Sequence, residues 1–220
     1  MDRLDRDIDD IRRKWVPDGR LGVFQVAVAG GLTGVTTSRE AQESLRRLAK
    51  ETGLTEDVRL LPDGVVGQDH AAIVTAALAP LLGDTRLDAA RVNEALHGEV
   101  LEILDRQNDW LRVRAPDEYV AWVHAGYVAT GPDDWGKDWA ERATARSVGA
   151  EVQTDGGRRR LPLGARLSLR RDGTVELADG VVGARAVVTK DVPPGMIVAG
   201  NPARVIKPRP MPKDGPGTSS

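Results

Sequence analysis

Proton transfer, metal binding and nucleophilic attack near neutral pH rest mostly on histidine and cysteine, and this chain has three histidines and no cysteine. The missing cysteine removes disulfides, thiolate metal sites and a thiol nucleophile together. His70, His97 and His124 are far apart in sequence, and none sits in a paired spacing such as H-E-x-x-H, so no metal centre is expected. His97 and His124 read as hydrogen-bonded structural groups rather than catalytic bases. The arginine runs at 158–160 and 170–171 read as solvated faces rather than phosphate sites. Lys and Arg total 31 against 33 Asp and Glu, a formal charge of -2, so no basic field argues for nucleic acid.

The elements that must position these residues follow from apolar spacing. Leu4, Ile8, Ile11 and Trp15 predict a helix over 2–15, with Trp15 in the core. Residues 22–29 and 32–36 predict a hairpin about Gly30-Gly31. Ser38 is a helix N-cap, Ala41, Leu45, Leu48 and Ala49 form one apolar stripe, and Gly53 ends the helix before a strand at 58–61. Residues 65–70 read as a linker, 71–82 as one strand and 83–90 as a polar loop. The stretch 95–128 carries strands at 100–104, 110–114 and 119–123, with Leu111 and Val113 on one face and Trp110, Arg112 and Arg114 on the other. Residues 131–136 read as a turn-rich joint with Trp139 clamping its sides, followed by weaker strands at 145–152, 160–163, 165–169 and 175–177. The longest apolar run, 71–82, is interrupted by Thr75 and Pro80 and too short to span a bilayer. No signal-peptide pattern is visible, so a cytoplasmic location is expected, or the cell envelope if a leader precedes the chain.

Residues 98–104 (GEVLEIL), 109–114 (DWLRVR) and 119–123 (YVAWV) resemble a bacterial SH3 domain, a module that accompanies peptidoglycan hydrolases. Residues 34–38 (GVTTS), within the helix, two strands, helix and strand that precede it, resemble a small BON-type α+β domain, a family associated with envelope attachment. Residues 159–167 (RRLPLGARL) resemble the second SH3-like domain of NlpC-type dipeptidyl peptidases, in which two such domains precede a papain-like domain that cleaves muropeptide stems. That catalytic domain needs a Cys nucleophile and a downstream His, and neither occurs after residue 180. Residues 179–206 instead resemble the closing coil of hexapeptide-repeat acyltransferases, although about one coil is present where at least about three are normally stacked.

The expected fold is therefore mainly β with an α+β N-terminal domain, two small SH3-like barrels and a short β-helix-like C-terminal coil. Its divisions are 1–64, 71–130, 142–179 and 180–206, with a disordered tail at 207–220. The first resemblance implies a non-catalytic muropeptide-binding module whose partner is a cell-wall peptide. By the match of 119–122 (YVAW) to the family's Tyr-x-Gly-Trp pattern, Tyr119 would touch the ligand, with Asp117 or Glu118 meeting an ammonium group. Trp122 is a further contact candidate that also reads as barrel core, and Ala121 stands where the family has Gly. No cofactor is expected on this reading. The acyltransferase resemblance implies the alternative, a trimeric enzyme with acetyl-CoA held by Ala184, Ala186 and Gly200 at the pantetheine and by Arg204 and Lys207 at the phosphates; the family's catalytic His belongs to an earlier coil that is not found here.

Overall fold

The computed structural model describes residues 3–186, 196–199 and 204–208. Helix α1 (Arg3–Trp15) is followed by β1 (Phe24–Val28), β2 (Gly31–Thr36), α2 (Arg39–Thr52) and β3 (Thr55–Leu60). β1 and β2 form the expected hairpin, and β2 runs parallel to β3 through the α2 crossover. Ser38 caps α2 by accepting the Ala41 N–H at 3.1 Å, and Gly53 closes it in the left-handed region at φ 71°. Leu4, Ile8 and Ile11 pack on Leu32, Leu45, Leu48 and Val58, which form one side of this unit. Trp15 is only half-buried, with Lys14 Nζ 4.6 Å from its ring, and Val16 takes the buried place expected for it.

The second unit is a seven-stranded sheet in the order β10-β4-β7-β8-β9-β5-β6. Its strands are β4 (Ala71–Val74), β5 (Leu78–Leu82), β6 (Arg91–Leu96), β7 (Val100–Gln107), β8 (Trp110–Arg114), β9 (Val120–His124) and β10 (Val128–Gly131). Six of them share one interior, with Ala72, Ala79, Ala95, Leu101, Leu111 and Val123 in a single cluster, so the sheet curls around a common core. The sheet is not a closed barrel: β10 and β6 are its two edges and do not pair with each other. Residues 71–82 form two strands rather than one, because the chain turns at Thr75 and Ala76, whose N–H groups both donate to the Tyr127 carbonyl. A bulge at Leu104 lets Leu104 join Val23, Val35 and Leu61 of the first unit, so the outer face of β7 is covered too.

Residues 131–136, expected as a turn-rich joint, instead lead into a helix, α3 (Asp133–Arg142). Trp139 does bridge: its indole Nε1–H donates to the Gly98 carbonyl at 2.8 Å, and its ring packs with Ile73, Ala143 and Ala178. Beyond α3 lies a six-stranded sheet in the order β11-β14-β15-β16-β12-β13. It comprises β11 (Ala145–Val148), β12 (Glu151–Thr154), β13 (Gly157–Arg160), β14 (Leu163–Leu169), β15 (Val175–Glu176) and β16 (Val182–Ala186), around Val152, Leu161, Ala165, Leu167, Val175 and Leu177.

This corrects the β-helix expectation. β16 pairs antiparallel with both β12 and β15, and β17 (Met196–Ala199) pairs antiparallel with β18 (Arg204–Pro208), whereas a β-helix stacks its coils in parallel. The mainly-β class itself holds. The tail expected to be disordered falls, from residue 209, outside the described residues. Among the described residues no helix is long and apolar enough to cross a membrane.

Candidate functional site at the β8–β9 turn

The turn joining β8 to β9 is closed by two backbone bonds, Ala115 N–H to Tyr119 O and Glu118 N–H to Ala115 O, each 2.9 Å. Closing so tightly puts Glu118 at φ 69°, a left-handed conformation that L residues with long side chains avoid. Asp117 fixes the turn from both sides. One carboxylate oxygen accepts the Tyr119 N–H at 3.2 Å and the other accepts the Asn93 side-chain amide of β6 at 2.8 Å. Glu118 is exposed, its carboxylate 3.8 Å from Arg114 Nε. Two acids therefore project beside Tyr119 on a backbone with little freedom.

Tyr119 is half-buried, because the N-terminal unit reaches it. The Val120 N–H donates to the Arg20 carbonyl at 2.7 Å, and the Arg20 guanidinium lies 5.7 Å from the Tyr119 ring centre. Asp18 fixes that guanidinium through Nε and Nη2, and the pairing lowers the Asp18 pKa to about 2. Trp122 is 7% exposed and lies outside the main core cluster, its ring 4.4 Å from the Arg112 guanidinium. Arg112 donates Nη2 to Gln25 at 2.8 Å across the boundary between the units. Ala121, where the family pattern has Gly, buries its methyl in the core.

On the other side of the turn is a cleft of about 370 Å³, bounded by Glu102 and Arg114 of the sheet, Glu118 of the turn, Asp133 and Lys137 of α3, and Arg166 of β14. Glu118 belongs to both places. Arg114 Nη1 donates to Glu102 at 2.7 Å, and Lys137 pairs with Asp133 one helical turn away. No local sequence spacing marks Arg20, Asn93 or Arg166, since each reaches the site from another element.

His97 is buried at 1% exposure, with Nδ1 3.0 Å from the Thr75 carbonyl and Nε2 accepting the Ala178 N–H at 3.2 Å. His124 Nδ1 accepts the Gly126 N–H at 3.1 Å, and its ring meets Trp110 edge-on. Among the described residues no three His, Asp or Glu converge as a metal-ligating group. Ala184 and Ala186 lie on β16 and Arg204 and Lys207 on β18; Gly200 lies outside the described residues.

No curated relative matches the chain. An NlpC/P60 family protein from Bacillus cereus aligns with a TM-score of 0.43 and 12% identity, over 65% of this chain and 59% of its own. An NlpC/P60 endopeptidase from Photobacterium damselae subsp. piscicida aligns with a TM-score of 0.41 and 12% identity, over 87% of this chain and 44% of its own. This chain thus spans less than two thirds of either protein. The BON-type and hexapeptide resemblances are not confirmed by these comparisons. The segment from the end of β5 to just beyond β9, residues 82–126, which holds Asn93, Asp117, Glu118, Tyr119 and Trp122, matches the bacterial dipeptidyl-peptidase SH3 domain family.

Proposed function

We propose that this chain is a non-catalytic recognition module for a short cell-wall peptide, with Asp117 and Glu118 receiving the peptide's free ammonium group and Tyr119 forming the adjoining wall. The reading is carried by one coincidence: the segment matching the dipeptidyl-peptidase SH3 domain contains a tightly closed acidic turn with a non-glycine residue at positive φ. Backbone held in such a conformation is concentrated at ligand-binding positions. Binding needs no cofactor, and the absence of cysteine means that no thiol nucleophile is supplied by these 220 residues.

Calorimetry with L-Ala-γ-D-Glu-diaminopimelate tests this against the same peptide acetylated at its amino terminus. The free peptide binds, acetylation abolishes the heat, and Asp117→Asn or Tyr119→Ala weakens binding by about tenfold, or about 1.4 kcal/mol. Equal binding of the acetylated peptide, or heat with acetyl-CoA in place of the peptide, contradicts the reading.

A further inference from the structure

We propose that the cleft between the seven-stranded sheet, α3 and β14 is a carboxylate pocket, in which Arg166 meets an α-carboxylate of the same short peptide. The inference rests on the peptide reading above and adds a second anchoring point to it.

The charges of the cleft single out Arg166. Three cations, Arg114, Lys137 and Arg166, line it with three acids, Glu102, Glu118 and Asp133. Arg114 serves Glu102 at 2.7 Å and Glu118 at 3.8 Å, and Lys137 serves Asp133. Arg166 makes no side-chain hydrogen bond to any described residue. Its Nε is enclosed without an acceptor, and so is the Nε of Arg114 across the cleft. Enclosed donors without acceptors are rare in folded proteins and point to a missing group. Burial and the nearby Arg146 both work against the Arg166 charge, opposed by Glu99. One added carboxylate supplies what is lacking, while a phosphate group would bring a second negative charge against three acids.

Arg166 is placed there by the backbone. Its N–H donates to the His97 carbonyl at 2.8 Å. Gly98 packs so closely that a Cβ would come within 2.5 Å of the Arg166 carbonyl oxygen. The floor of the cleft is apolar and small, built from Ala71, Val100, Leu101 and Ala115, and suits alanine-sized groups rather than a long acyl chain. Its volume lies at the low end of ordinary ligand pockets. Because Glu118 lines the cleft as well as the turn, an ammonium group at the rim and a carboxylate inside can belong to one dipeptide.

The test compares L-Ala-γ-D-Glu-diaminopimelate bearing a free D-Glu α-carboxylate with the same peptide amidated there, by calorimetry on the full chain. The wild-type protein binds the acid at least tenfold more tightly than the amide, and Arg166→Gln removes that preference. Lys137→Glu, at an exposed helix position where folding is not at stake, weakens the acid several-fold and the amide less. If acid and amide bind equally, or if both variants keep the wild-type preference, the carboxylate pocket is overturned while the ammonium site stands. If neither peptide binds, both readings fall.

Discussion

His97 performs two hydrogen-bonding tasks that only one protonation state allows. Neutral with its proton on Nδ1, it donates to the Thr75 carbonyl and accepts the Ala178 N–H on Nε2. A second proton would set N–H against N–H in a buried position. Burial is the main cause of its lowered pKa, with the Thr75 carbonyl acting in the opposite direction. The unfolded chain then takes up the proton first, near pH 6.5. The stability contributed by His97 is complete above that value and lost as pH falls from 6.5 toward the folded-state pKa, by at most about 1.4 kcal/mol per pH unit. Urea midpoints at pH 7.5, 6.5 and 5.5 will therefore fall more steeply for wild type than for His97→Gln, which begins about 1–3 kcal/mol less stable at pH 7.5. A parallel pair of curves would exclude the role. Sequence spacing identifies His97 as a structural hydrogen-bonding group, but its side-chain partners lie 22 and 81 residues away, and no local pattern could name them.

Local signals read elements well where the element buries one face by itself. The apolar spacing of α1, the Ser38 cap and Gly53 terminus of α2, and the alternation through β7, β8 and β9 are all of this kind. The signals mislead where tertiary packing decides. Val182–Ala186 has the aliphatic and small alternation of a hexapeptide coil, but the same alternation fits a strand between β12 and β15, and hydrogen-bond pairing chooses between them. In α3, Pro132 and Gly136 look like turn residues. Pro132 stands at the helix N-cap, and Gly136 is needed because a Cβ there would lie 2.5 Å from the Ala71 Cβ of β4. Gly136→Ala gains about 1 kcal/mol of helix propensity yet loses about 1–3 kcal/mol to overpacking. Chemical denaturation of Gly136→Ala, Ala71→Gly and the pair will show the double variant more stable than the sum of single losses. Simple additivity would mean that α3 can move off β4 at no cost.

At the scale of the molecule, three units with separate cores are joined by buried and directional contacts. The first is held to the seven-stranded sheet by Leu104 among Val23, Val35 and Leu61, by Arg112 on Gln25, and by Arg59, which pairs with Asp105 at 3.5 Å. The six-stranded sheet is held through His97, Gly98 and Trp139, whose partners Ala178 and Arg166 lie in or beside it. Joints of this kind make the units open together, so amides in β7 and β14 should exchange with similar opening free energies in the wild-type protein. Gly98 is the weakest point of that coupling, since it sits at φ 79° and has no room for a methyl group. Gly98→Ala is expected to lower the opening free energy of β12 and β14 by about 2 kcal/mol while β1–β3 stay as protected as before. Because Arg166 is carried on β14, the same variant would withdraw it from the cleft and reduce the acid-over-amide preference. If exchange instead accelerates equally in all three sheets, Gly98 supports the fold as a whole rather than the joint that holds the six-stranded sheet and Arg166 against the seven-stranded one.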